Sequence, residues 1–306
     1  MSRPANRVLN GLAKRGGRAL LIAHRGDSFH APENTLESAR LGRDAGAFAW
    51  ELDVQLTRDG ALIVLHDDSL IRTTNVAIVY QGDPRGARGF LACEFDLAEI
   101  MTLDAGSWFV ANDGGPRSAR DFGTLESLPG SRLAQFASGG VRVPTLAQAL
   151  ELTLELDWLV NVEIKACECD SEDLAAQVLA VVAETGMSER VLISSFDRAL
   201  VAAAAAIPGD HAAGLLAETA DPGIVDLAAT LGAQTLNLGS RALVIGETHS
   251  EENQQLIAKL SEHEMPLLVY TVNDHAPGGL ADRLAELGAS ALFTDDPRRS
   301  VGPIPR

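Results

Sequence analysis

The sequence predicts an α/β chain whose strands close into one parallel barrel. From Pro144 onward, strand-like runs near 158–165, 190–195, 211–216, 234–238, 266–272 and 290–293 alternate with helical patterns near 171–185, 197–206, 223–231, 251–263 and 278–287. Such alternation builds a parallel sheet covered by helices, and over this length it implies a (β/α)8, or TIM, barrel. An open doubly wound sheet is the alternative, but no G-x-G-x-x-G follows the first strand, which weighs against a dinucleotide fold. In a barrel, chemistry gathers at the carboxyl ends of the strands, and His24, Glu51, Asp53, Glu163, Lys165, Phe196 and Asn273 all fall there.

Taken in order, residues 1–18 read as a loosely ordered lead-in, basic but without the apolar stretch that a signal peptide requires. Residues 19–23 form the first buried strand. Asn34 then offers an N-cap with Glu37 at the reciprocal position, opening a helix to about Asp44 that Gly46 ends. The run Ala49 to Leu56 alternates strictly, with Trp50, Leu52, Val54 and Leu56 on one face and Glu51, Asp53 and Gln55 on the other. Asp59-Gly60 is a tight-turn signal between this strand and 61–66. A hairpin pairing 56 with 61 places Glu51 opposite His66. This leaves nine strand-like segments, and the 61–66 arm is the expected extra one. Residues 67–143 break the rhythm and read as a small insertion after the second and third strands, within one domain spanning 19–297. Thr145 and Gln148 form a capping box for a helix to about Glu155.

The alternation at 158–165 repeats the acidic theme, with Asn161, Glu163 and Lys165 on one face. Buried carboxylates are costly unless a cation neutralises them. Three carboxylates at strand ends suit a hard cation, Mg²⁺ or Ca²⁺, not Zn²⁺. His24 and His66 add two imidazoles suited to moving protons near neutral pH.

These residues lie in segments that resemble the glycerophosphodiester phosphodiesterase family. The family pattern of His-Arg, Glu-x-Asp and His-Asp corresponds to His24-Arg25, Glu51-Leu52-Asp53 and His66-Asp67. Ala23 to Gly26, Pro32 to Thr35, His66 to Leu70 followed by Arg72-Thr73-Thr74, Val143 to Leu146, Val162 to Lys165, Ser194 to Asp197 and Thr271 to Asp274 are similar as well, so the resemblance runs from about Leu21 to Pro297. It implies hydrolysis of glycerophosphodiesters to sn-glycerol 3-phosphate and an alcohol, with a role in lipid and glycerol metabolism. It implies His24 and His66 as general acid and base, Glu51, Asp53 and Glu163 as metal ligands, and Arg25 and Lys165 as phosphate partners; Lys165 also has the simpler role of neutralising Glu163. Phe196 and Tyr270 are candidates to line the alcohol pocket, although the family often carries Trp where Tyr270 stands. Trp108, in a segment similar to the family's insertion, either lines a substrate pocket or packs the insertion's own core. A related phosphodiesterase acting on lysophospholipids or phosphoinositides, and a non-catalytic barrel, are the rival readings.

The 306 residues are 46% hydrophobic and 22% charged, with a net charge of −17. That charge argues against a nucleic-acid surface and against stable docking on anionic lipid. An anionic substrate meets a repulsive global field, so its attraction must be local. Cys93, Cys167 and Cys169 are odd in number and lack zinc spacing, so three free thiols in a reducing, cytoplasmic setting are expected.

Overall fold

In the computed structural model, residues 6–13, 18–111, 125, 128–167, 173–243 and 250–298 are described. Their strands are β1 (Leu20–Ala23), β2 (Ala49–Leu56), β3 (Leu62–Val64), β4 (Val160–Ile164), β5 (Val191–Ser195), β6 (Ala212–Ala217), β7 (Thr235–Gly239), β8 (Leu267–Tyr270) and β9 (Ala291–Thr294). The sheet order is β1-β9-β8-β7-β6-β5-β4-β2-β3, and a β1–β2 pairing closes the ring. Every pairing within the ring is parallel, while β3 runs antiparallel to β2 outside it. The barrel and its extra antiparallel arm are therefore as expected.

The helices are α1 (Arg7–Ala13), α2 (Leu36–Asp44), α3 (Val76–Val79), α4 (Leu97–Ile100), α5 (Ser107–Ala111), α6 (Gly130–Ala137), α7 (Leu146–Glu155), α8 (Leu174–Glu184), α9 (Arg198–Ala206), α10 (Gly223–Thr230), α11 (Glu251–Glu262) and α12 (Leu280–Leu287). The alternation in β2 does what its pattern requires. Trp50, Leu52, Val54 and Leu56 join Val160, Val162, Ile164 and the Leu146 and Leu150 side chains of α7 in one buried cluster. Glu51, Asp53 and Gln55, on the other face, are buried. The β2–β4 register sets Asp53 beside Glu163.

Four differences from the sequence expectations have physical causes. The lead-in is not loose throughout, because α1 buries Val8, Leu9 and Leu12 against Ile22, Ala49, Leu192, Leu268 and Phe293. Those side chains come from strands far apart in sequence, so the helix has a surface to fold on only after the barrel closes. The hairpin pairs Leu56 with Leu62, one residue beyond the expected register, and β3 ends before His66. A looser turn from Thr57 to Ala61, with Gly60 at φ 78°, absorbs the extra residue. The cap of α2 is Thr35 with Ser38, not Asn34 with Glu37. Asn34 has φ 57°, and its side chain serves Asp53 instead. Finally, Cys93 is disulfide-bonded. An odd cysteine count excludes a complete disulfide framework but leaves room for one bridge, so the inference from free thiols to a reducing compartment loses its premise.

The described residues between β3 and α7 pack around a cluster in which Phe95, Ile100, Phe109 and Phe136 are fully buried together with Ile63 of β3, joined by Ala31 and by Leu41 of α2. Arg85 stacks on Phe95 at 3.7 Å from the ring centre. No helix among the described residues is long and apolar enough to cross a membrane.

Candidate active site

Strand alternation delivers the acids. Glu51 and Asp53 leave β2 on its inner face and Glu163 leaves β4 alongside, so that one oxygen from each lies within 4.8 Å of the others. Glu51 Oε2 accepts from the Arg25 backbone N–H at 2.9 Å, whereas buried Glu51 Oε1 has no hydrogen-bond partner. Asn34 donates to Asp53 Oδ2 at 2.8 Å. Lys165 Nζ lies 2.7 Å from Glu163 and 3.6 Å from Asp53.

Burial, then the charge of Asp53, pushes the Glu51 carboxyl up to about 8. Glu163 is raised by the same two causes, against the pull of Lys165. For Asp53 burial also acts upward, but Arg25, His66 and Lys165 outweigh it and hold the carboxyl below its usual value. Two of the three carboxyls are thus held above their usual value, because the neighbouring cations do not balance three ionised carboxylates. A buried carboxylate oxygen without a partner, in an all-oxygen donor set, fits a hard divalent cation. The residues present therefore suit the metal that their pattern suggested.

The imidazoles follow from strand ends. His24 comes directly after β1 and His66 two residues after β3. His24 Nδ1 lies 2.7 Å from Asp295 Oδ1, and His66 Nδ1 lies 2.7 Å from Asp67 Oδ1. Ionised carboxylates only accept, so each Nδ1 carries the proton of its hydrogen bond. His24 Nε2 points toward Glu51, 4.0 Å from Oε2. Burial and Arg25 pull the His24 imidazole down, yet Asp295 and Glu51 together raise it above its ordinary value.

The two arginines beside the cavity are tied to carboxylates. Arg25 Nη1 donates to Glu33 at 2.8 Å, and buried Arg25 Nε has no hydrogen-bond partner. Its backbone is held at φ 56°, a left-handed conformation unusual for arginine. Arg72 forks onto Glu33 and Asp67 together. A cavity of about 400 Å³ is lined by His24, Arg25, Ser28, Glu33, His66, Asp67, Arg72 and Asp295.

The expected site residues thus divide. His24, Arg25, Glu51, Asp53, His66, Glu163 and Lys165 converge on one end of the barrel. Phe196 is 44% exposed and meets Tyr270 edge-on at 6.0 Å, and Tyr270 lies close enough to Glu163 for its charge to help raise the phenol. The Tyr270 hydroxyl donates to Ala217 O at 2.9 Å. Trp108 meets Phe109 edge-on and its Nε1 donates to Ala105 O, so it packs with the insertion's core and does not line the cavity.

Sequence reasoning passed over Asp295 and Arg72 as functional residues. Asp295 follows β9, a strand-end position that the barrel rule would have flagged. Arg72 gave no strand-end signal, because it lies in the irregular stretch after His66; only its place in the family-like segment Arg72-Thr73-Thr74 pointed to it. Asn273 and Ser28 complete the Asp295 surroundings, donating to it at 2.6 and 3.1 Å.

A family model described as the glycerophosphoryl diester phosphodiesterase family matches residues 24–299. A glycerophosphodiester phosphodiesterase of Caldanaerobacter subterraneus subsp. tengcongensis is 37% identical over 180 residues, a match that covers 59% of this chain and 59% of that relative. A glycerophosphodiester phosphodiesterase of Bacillus subtilis is 30% identical over 288 residues, covering 92% of this chain and 84% of its own length. Among solved structures, an Oleispira antarctica phosphodiesterase in complex with the product sn-glycerol-3-phosphate superposes with a TM-score of 0.71 at 27% identity, over 93% of this chain and 96% of that one.

Proposed function

The chain belongs to the glycerophosphoryl diester phosphodiesterase family, and from that premise we propose that it hydrolyses glycerophosphodiesters to sn-glycerol 3-phosphate and an alcohol. The observation that carries this is the pairing of two imidazoles, each fixed by a carboxylate at Nδ1, on one cavity beside the carboxylate trio. Hydrolysis of a phosphodiester breaks one P–O bond and adds the elements of water. It needs one group to take a proton from the attacking oxygen and another to give a proton to the departing alcohol. His24 and His66 would take these two jobs.

Glu51, Asp53 and Glu163 are the residues that would hold Mg²⁺ or Ca²⁺, which would supply Lewis-acid polarisation of the phosphoryl oxygens and neutralise their charge. Arg25 and Lys165 add cationic donors at the same end of the barrel, where they would offset charge on a phosphate in a chain of net charge −17. The cavity and its charges suit a small anionic diester, and the products fit a role in lipid and glycerol metabolism.

The test is a substrate panel of glycerophosphocholine, glycerophosphoethanolamine, glycerophosphoglycerol and lysophospholipids. Activity on the glycerol diesters is expected, lost on exhaustive chelation and restored by Mg²⁺ or Ca²⁺. Full turnover by demetallated protein in excess chelator would sink the metal role, and turnover of lysophospholipids alone would redirect the substrate class.

A further inference from the structure

Two arginines border the cavity, and their hydrogen bonds differ in kind. Arg25 donates from Nη1 to Glu33, while its Nε makes no hydrogen bond and lies 3.5 Å from Asp53 Oδ2. Arg72 donates from Nε to Asp67 Oδ2, from Nη2 to Asp67 Oδ1 and Glu33 Oε1, and from Nη1 to Glu33 Oε2. Four of its five N–H groups are therefore spent on two carboxylates, leaving almost nothing for a substrate. One of those carboxylates, Asp67, holds His66 Nδ1. The other, Glu33, is buried, and it also receives Arg25.

We propose that Arg72 is a positioning residue, which with the buried Glu33 locks Asp67 and so keeps His66 in the tautomer and orientation that the reaction needs. It borders the cavity without being a substrate cation. This rests on the phosphodiesterase reading above, since it assigns a role within that site. The physical point is the double fork. A carboxylate held by one flexible hydrogen bond can swing. One gripped through both oxygens by a planar guanidinium, itself gripped from the far side, cannot swing without breaking several charge-assisted bonds. Burial acts to raise the Asp67 carboxyl, but Arg72 and His66 hold it far below its usual value, so it stays an acceptor throughout the working range. Lysine at position 72 would keep the charge and lose both forks.

The experiment is a double-mutant cycle with R72K and H66A, read as kcat and KM separately on glycerophosphocholine. Loss of an outer partner to a functional histidine typically costs about 10- to 100-fold. R72K is expected to lower kcat by that order, with KM changed by less than about threefold. In the H66A background the same substitution should cost less than about twofold, because its effect passes through the missing ring. A raised KM at unchanged kcat would make Arg72 a substrate ligand and overturn the proposal, as would penalties that multiply in the cycle.

Imidazole ¹⁵N shifts test the same role without turnover. His66 is expected to be an Nδ1–H tautomer in the parent protein and a mixture in R72K, and an unchanged spectrum would count against positioning. Failure of the parent protein to hydrolyse any diester would refute the phosphodiesterase reading and leave the tautomer to decide the role of Arg72.

Discussion

His24 and His66 make the same hydrogen bond and are held by different parts of the molecule. His24 finds its carboxylate 271 residues away, on the segment after β9, and Asn273 and Ser28 fix that carboxylate in turn. His66 finds its carboxylate on the next residue, fixed by Arg72 five positions beyond. The His24 side chain is 17% exposed and that of His66 32%. One dyad thus exists only when the barrel has closed between β9 and β1. The other is built locally on a turn and steadied by side chains. The lesson is that equal geometry at two groups does not mean equal dependence on the fold. His24 should fail with barrel closure, and His66 with the charge network of Asp67, Arg72 and Glu33.

The strongest way to break this comparison is to remove each ring. General acid–base catalysis is worth about 10²- to 10⁴-fold per group. His24→Ala and His66→Ala should each lower kcat by that order with the fold intact, as judged by circular dichroism. An activated aryl alcohol leaves without a proton, so an aryl phosphodiester should largely rescue the variant that lacks the general acid and leave the other slow. Equal losses on both substrates for both variants would show that the rings do not divide the work.

A smaller effect sharpens the difference between the anchors. Asp295→Asn and Asp67→Asn each remove a carboxylate while keeping its shape. The expected loss in kcat is about 10- to 100-fold for each. The stability cost should differ, because Asp295 joins segments across the β1–β9 closure through His24, Asn273 and Ser28, whereas Asp67 bonds His66 and Arg72 within its own stretch and reaches Glu33 only through Arg72. Thermal melts should therefore show a larger drop for Asp295→Asn. A larger drop for Asp67→Asn would reverse the assignment of which dyad depends on barrel closure.

The smallest expected effect concerns pH. The Glu51 carboxyl is raised in the folded chain from 4.5 to about 8, by burial and by Asp53. A carboxyl raised on folding binds its proton more tightly in the native state. Its contribution is fully present below the unfolded value and lost as pH rises through the folded one. The melting temperature of cation-stripped protein should therefore fall by a few degrees between about pH 5 and pH 8, and added Mg²⁺ or Ca²⁺ should reverse the fall. Glu51→Gln should flatten the profile. A flat profile in the parent protein would show that Glu51 is ionised throughout.

Much of the site was legible before the fold. Period-two alternation in Ala49 to Leu56 and in Val160 to Lys165 put Glu51, Asp53 and Glu163 on one side, and the register of β2 on β4 then set Asp53 next to Glu163. His24 was legible because it follows β1 directly, and His66 because it closes the apolar run 61–66 beside Asp67. The Cys93 bridge was not, because a count of cysteines carries no distance. Trp108 was left between two roles, because an aromatic residue in an insertion reads alike whether it faces a pocket or its own core.

The sequence by itself determined the repeating strand–helix order, the inward acidic face and the two imidazoles, because side-chain alternation along a strand is local and needs no partner to be read. Only the tertiary structure decided that Asp295 serves His24, that Arg72 clamps Asp67 against Glu33, that Asn34 binds Asp53 instead of capping α2, and that α1 packs against the barrel core. Each of these joins groups whose meeting depends on ring closure or on irregular backbone, where no sequence period says which way a side chain points.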